Sequence, residues 1–583
     1  MVIYNIITVF KCFIVVILIK YYAKLLGGYN NMSFKKRFGV SFVALLAICG
    51  VVCSSLVSNG VKASADSKKN SNKSHTVSTS QKKSNEKVIT SDADITVDML
   101  SEQLGKSTGT IVTKIGSTSQ MLDYLQKRDN FYKPTLPIRI SSVDNSKLKY
   151  FPEIADQGEL NSCTAWATVY YQYSYTVNKQ LKRDGKLPEN TFSPTWVYNM
   201  INESENDGTY YSDAMAFLSE IGAVPTTMVP SENQYLGNNV RDTHAIKENW
   251  IEASKYRISE FYSIDLKNRE YDTVFHCNTD VDLDTIKKAL ATGEVLSATT
   301  YSSKWIKQTI QASDYVKENN KYLGEKIITM CNTPDYGAHR VTIVGYNDDI
   351  WVDINENGCI EKGEKGAFKI ANSWGSNSDN NGFVWMSYDA LNRVSSLRDE
   401  GNVYLNSIDR EAGLFDVVGF KVDLDSSDSD CMLALDLETD NAGEVHVNIV
   451  AKDKTTGAEV GNFNPIPFKY SSTIYNLGVT GFRGYGMDNT RGEFYIDLGH
   501  VVEGLTKDTI DNYNWEITLA DTIYDASALK ANSAKIYIVS QDRYIDTALR
   551  VPMTMDTQTL KVYYGNENKT EVVNEVYEPE AVG

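Results

Sequence analysis

Residues 151–181 read FPEIADQGELNSCTAWATVYYQYSYTVNKQL. The first part is punctuated by the turn-formers Gly158, Asn161 and Ser162. From Cys163 the pattern changes: Trp166, Val169, Tyr170, Tyr173, Val177 and Leu181 recur at helical spacing. That periodicity predicts a helix burying one face, with Asn161 or Ser162 as a suitable N-cap. Cys163 then sits in the first turn. A helix N-terminus favours negative charge and hence the thiolate, the form of cysteine that attacks a carbonyl. Alone, this is weak: a cysteine opening a buried helix is more often packing than chemistry.

Two further stretches change the balance. In GAHRVTIVGYNDD, residues 337–349, His339 directly precedes an expected strand, 341–346. In AFKIANSWG, residues 367–375, Asn372 ends another strand pattern and is followed by Ser373, Trp374 and Gly375. A thiol nucleophile needs a base for its proton, and the base needs an acceptor on its other ring nitrogen to orient it. Cys163, His339 and Asn372 fit those roles. Gln157, six residues before Cys163, can offer its amide N–H₂; with the Cys163 backbone N–H it would form an oxyanion hole.

On DQGELNSCTAWA, GAHRVTIVGYND and FKIANSWG the chain resembles the papain family of cysteine peptidases, over roughly residues 146–396. The resemblance implies an α+β, two-lobed domain: a helical left lobe carries Cys163, a β-rich right lobe carries His339 and Asn372, and the cleft lies between them. It also implies that Gln157 is the oxyanion residue and that Trp374 shields the His339–Asn372 bond from water. The chain departs from the family pattern in places. Thr164 stands after the nucleophile where Trp is usual, and Arg340 follows His339 where a small residue is usual. The long-helix motif of plant and lysosomal pro-segments is absent from 66–145. The family's substrate-backbone glycine pair has no clear counterpart; Gly208, in NDGTYYSD, stands as its substitute.

Between His339 and Asn372 lies DINENGCIEKGE, residues 353–364. It matches the calcium-loop pattern D-x-[DN]-x-[DN]-G-x₅-E at Asp353, Asn355, Asn357, Gly358 and Glu364. The ligands would be Asp353, Asn355, Asn357, the Cys359 carbonyl, Glu361 and Glu364, around a structural Ca²⁺. The alternative is an Asn/Gly-rich hairpin turn that needs no ion. No cofactor is required for the chemistry itself.

The remaining chain supplies context. Residues 32–65 read as a secretory signal: Lys35, Lys36 and Arg37, an apolar stretch to Val57, then Ala63-Ser64-Ala65. Residues 1–31 are read as upstream sequence or an extra apolar segment. Residues 66–145 form a polar linker and a pro-segment candidate, 146–398 the peptidase domain, and 399–583 an all-β sandwich with alternating runs such as LFDVVGFKVDL and EVHVNIVAKD.

The 583 residues carry 58 Lys/Arg and 75 Asp/Glu, a formal charge of −17. Such an acidic chain is a poor partner for phosphate backbones, so nucleic-acid binding is not expected. Eight cysteines are too few for a disulfide-stapled scaffold. Five of them follow residue 65, and the odd count leaves at least one free thiol, with Cys163 the obvious one.

The expected protein is a secreted, extracellular cysteine endopeptidase acting on protein or peptide substrates. Its sandwich would bind a surface or polysaccharide. Two alternatives are a catalytically idle adhesin on a peptidase scaffold and a cell-wall peptide amidase or transpeptidase.

Overall fold

The computed structural model describes residues 110–111 and 140–573, apart from internal stretches of which the longest are 235–241, 265–279, 398–409, 469–481 and 483–489. The apolar segment 1–31, the signal-peptide pattern 32–65 and most of the linker and pro-segment candidate lie outside the described residues, as does Cys277.

Helices concentrate between residues 163 and 253. The first, α1, runs over 163–181 and is continuous through three parts: Cys163–Ala165, a π-helical stretch Trp166–Tyr173, and Ser174–Leu181. Its apolar stripe, Val169, Tyr173 and Val177, is fully buried, as its spacing predicts. Lys182 ends it in the left-handed region. Helix α2, Pro194–Ile201, starts on Ser193, whose side chain caps the Trp196 amide, with Pro194 at the first helical position. Helices α3, Tyr211–Glu220, and α4, Lys247–Ala253, complete the group. Among the described residues no helix is long and apolar enough to cross a membrane.

A ten-stranded sheet is built around His339–Trp351, a 13-residue strand. Its β-branched residues Val341, Thr342, Ile343 and Val344 suit a pleated surface buried on both faces. On one side it pairs antiparallel with Leu296–Thr300, and on the other with Lys365–Ala371. The register sets Thr300 opposite His339 and Thr342 opposite Ala371. The residues after Ala371 therefore return alongside the start of the His339 strand.

Two five-stranded sheets follow, one centred on Cys431–Glu438 and the other on Val445–Asp453 and Tyr513–Asp521. Their buried residues, among them Leu433, Ile449, Trp515 and Ile536, join Val169, Trp196, Phe217 and Trp250 of the helices in one apolar core.

Phe415–Asp423 departs from its sequence reading. Its alternation grouped it with the C-terminal strands, yet it hydrogen-bonds between Leu296–Thr300 and Arg257–Ser263 in the ten-stranded sheet. Alternation reveals that a strand is half-buried; it does not reveal which strand it pairs with. The chain beyond 399 thus contributes to the first sheet as well as to the other two.

Candidate active site

Cys163 is the first residue of α1 and is fully buried. Two hydrogen bonds fix this end of the helix. Thr164 Oγ1 donates to the Thr209 carbonyl at 3.1 Å, and Thr342 Oγ1 donates to the Ala167 carbonyl at 3.0 Å. The second ties the helix to the strand that begins at His339, against which the first turn packs. The π-helical stretch follows directly, and such irregular turns are frequent at functional sites.

His339 Nε2 lies 2.7 Å from Asn372 Oδ1. The Ser373 backbone N–H also donates to that oxygen, at 2.8 Å. Because a backbone amide only donates, it identifies the atom as the amide oxygen, and His339 Nε2 must then carry the hydrogen. In the neutral ring the lone pair is left on Nδ1, which is buried and has no hydrogen-bond partner among the described residues. Trp374 stacks on the imidazole, with centroids 4.8 Å apart and planes at 25°, and Trp305 stands 5.9 Å beyond it. Trp374 thus covers one face of the imidazole, with Trp305 packed against Trp374.

Gln157 is fully buried. Its backbone N donates to the Ser373 carbonyl at 2.8 Å, and Gly375 N donates to the Ala155 carbonyl at 3.1 Å, so residues 155–157 run beside 373–375. The Gln157 side chain is held from both ends. Oε1 accepts from Ser373 Oγ at 2.5 Å and Nε2 donates to the Leu160 carbonyl at 2.9 Å. Those two bonds fix the plane of the amide and identify Oε1 as the acceptor and Nε2 as the donor.

Two residues not singled out from sequence hold this group together. Ser373 orients both amides, Asn372 through its N–H and Gln157 through its hydroxyl. Tyr171, on α1, donates to the Asn372 carbonyl at 3.0 Å and accepts from Ala155 N at 3.1 Å. Burial pushes its phenol well above the usual range, so it stays a donor at any physiological pH. Ser373 adjoins Asn372 in sequence, but nothing in the spacing links either residue to 155–157.

Gly208 is buried at φ +95°, immediately before the short strand Thr209–Tyr210. Thr110–Ile111, from well ahead of the Cys163 helix in sequence, adds to that strand in parallel, Thr110 against Thr209 and Ile111 against Tyr210. Arg340, the unusual residue after His339, is fully buried. Its guanidinium donates to Thr299 Oγ1 and Ser297 Oγ, each at 2.9 Å, and lies 4.5 Å over the Tyr211 ring.

The 353–364 loop closes on its own donors. Asp353 accepts from Asn357 N and Gly358 N at 3.0 and 2.8 Å. Glu361 Oε2 accepts from the Asn355 and Asn357 side-chain amides at 2.7 and 3.0 Å. Glu364 accepts from Ile354 N, Trp351 Nε1 and Glu361 N at 2.8, 2.8 and 3.2 Å. The Cys359 side chain is exposed. Among the described residues no group of three or more His, Cys, Asp or Glu side chains is arranged to hold a metal.

No family model matches the chain, and no curated protein matches it. Solved structures of cysteine peptidases do overlay on it. Xylellain, a cysteine protease from Xylella fastidiosa, is 18% identical with a TM-score of 0.32, over 54% of this chain and 96% of its own. A digestive procathepsin L 3 from Tenebrio molitor larval midgut is 15% identical at TM-score 0.31, over 56% and 86%. A recombinant stem bromelain precursor is 14% identical at TM-score 0.32, over 55% and 79%. These are distant likenesses, and the functional reading rests on the side chains.

Proposed function

We propose that the protein is a secreted thiol peptidase that cleaves peptide bonds through an acyl-enzyme on Cys163. The observation that carries this reading is the His339–Asn372 bond. It puts the imidazole hydrogen on Nε2 and leaves a buried, unpartnered Nδ1 on the residue that heads the strand packed against the Cys163 turn. On this reading the helices of 163–253 are the left lobe and the sheet around His339–Trp351 is the right lobe.

The chemistry follows from those roles. His339 Nδ1 takes the thiol proton, and Cys163 Sγ attacks the carbonyl carbon of the scissile bond. The carbonyl oxygen becomes an oxyanion, for which Gln157 Nε2–H and the Cys163 N–H are the donors. Collapse breaks the C–N bond as His339 hands its proton to the leaving amine, and the acyl group remains on sulfur. Water then attacks the thioester with His339 taking its proton, and the thiol leaves reprotonated.

The strand Thr110–Ile111 supports a zymogen, because it uses the backbone edge beside Gly208 that an extended substrate would use. Secretion rests on the signal pattern of 32–65. The two C-terminal sheets are read as an accessory β-sandwich, a surface or polysaccharide being its ligand class.

The test is hydrolysis of a casein-type substrate by the purified, matured protein, set against Cys163→Ala. Thiol-dependent cleavage lost in the variant is expected. Equal cleavage by both proteins, or none by either, would sink the proposal, and amide exchange without hydrolysis would make the acceptor an amine.

A further inference from the structure

We propose that Asn206 is a positioning residue that sets the spacing between the loop leading into Cys163 and the strand following Gly208. The inference rests on the peptidase reading above.

Asn206 uses its polar atoms on two segments at once. Its Oδ1 accepts from Asn161 N at 2.7 Å and from the Tyr198 hydroxyl at 2.8 Å. Its Nδ2 donates to the Glu159 carbonyl at 3.2 Å, and its own carbonyl accepts from the Asn161 side-chain amide. The partners in the loop, Glu159 and Asn161, lie 47 and 45 residues away in sequence. Tyr198 is buried on α2, so the clamp is anchored in the helical core.

What the clamp joins gives it a role. On one side, the loop 157–162 carries Gln157, whose amide is tied to the Leu160 carbonyl, and ends at Cys163. On the other, Asn206 stands two residues before Gly208 and three before the strand Thr209–Tyr210. A second tie, Thr164 Oγ1 to the Thr209 carbonyl, is buried just beyond the nucleophile. The oxyanion donor, the nucleophile and the substrate-facing strand therefore hang on one short frame. Among the described residues this frame is held by the hydrogen bonds of Asn206 and of Thr164.

The geometry separates two readouts. Alkylation of Cys163 by iodoacetamide needs the thiolate and His339 but neither the oxyanion donors nor the substrate strand. Peptide hydrolysis needs all of them. Loosening the loop therefore slows hydrolysis and leaves alkylation alone.

The experiment uses the full chain, matured, with Asn206→Ala, Asn206→Asp and Cys163→Ala. Asn206→Ala is expected to lose about 10- to 100-fold in kcat/KM, the scale of a small misplacement of reacting groups. Its alkylation rate should stay within roughly twofold, well under the tenfold that 1.4 kcal/mol represents. Asn206→Asp keeps the acceptor for Asn161 N and Tyr198 and should recover most of the activity. Unchanged kcat/KM in Asn206→Ala overturns the proposal. So does a joint fall of hydrolysis, alkylation and melting temperature that Asn206→Asp does not relieve, because that marks a purely structural residue. If the wild type shows no Cys163-dependent hydrolysis, the peptidase reading itself fails, a different result from either.

Discussion

Asn372 Oδ1 accepts from His339 Nε2 at 2.7 Å while Ser373 N–H holds the same oxygen at 2.8 Å, so the imidazole is oriented by an amide that cannot turn over. Removing the acceptor frees the ring. Asn372→Ala should lower kcat/KM about 100-fold through lost orientation, with Cys163 still present to be alkylated. Ser373→Ala keeps the backbone N–H but releases the Gln157 amide, and a fall of about 10-fold in kcat is expected, below the 10²–10³ of deleting an oxyanion donor outright. Steady-state kinetics on one peptide checks both; a Ser373→Ala loss exceeding that of Gln157→Ala would contradict this order.

The parallel ladder between Thr110–Ile111 and Thr209–Tyr210 predicts latency. Ile111→Pro removes an N–H and fixes φ, which weakens a strand addition. The unprocessed variant should hydrolyse substrate from the first time point, where the unprocessed wild type shows a lag. Identical progress curves would show that the strand does not restrain activity.

A chain ending at residue 398 should not fold. It lacks Phe415–Asp423, which joins Leu296–Thr300 to Arg257–Ser263. It also loses Asp497, the buried partner of Arg257 at 2.9 Å. Thermal unfolding followed by circular dichroism reads the outcome, and a cooperative melt of the soluble fragment would refute the expectation.

His446 gives a pH dependence. Burial lowers its pKa from the ordinary 6.5 to about 4. The native state therefore holds it neutral, while the unfolded chain takes up a proton below pH 6.5. Its contribution is intact above 6.5 and is lost as pH falls toward 4, on the order of 3 kcal/mol at one pKa unit per 1.36 kcal/mol. Urea melts across that range should be steeper in pH for the wild type than for His446→Gln. Parallel profiles would assign the acid sensitivity to other groups.

The 353–364 loop has its acceptors engaged, and Glu364 shows it best. Burial pushes its carboxyl upward, while N–H bonds from Trp351, Glu361 and Ile354 pull it back. Glu364→Ala leaves those donors without an acceptor and should cost about 1–3 kcal/mol. From the calcium-loop spacing of Asp353, Asn355, Asn357 and Glu364 we propose that added Ca²⁺ raises the melting temperature, and no shift would retire the site. A Ca²⁺-dependent rise that vanishes in Asp353→Ala would establish the loop as a calcium site.

The sequence by itself determined the local pieces of this protein. The apolar spacing of Trp166, Val169, Tyr173 and Val177 made a helix with Cys163 at its head, and the β-branched run after His339 made a strand. The residue types at 157, 163, 339 and 372 limited the chemistry, because few side chains can act as nucleophile, base and amide orienter. These are short-range properties, set by periodicity and by functional groups. Tertiary structure decided everything that depends on which segments meet. It brought Ser373 to Gln157 across 216 residues and Tyr171 to Asn372 across 201. It paired Phe415–Asp423 into the first sheet and laid Thr110–Ile111 beside Gly208. A hydrogen-bond donor or a half-buried strand carries no record of its distant partner in its own pattern; that partner is chosen only when the whole core closes.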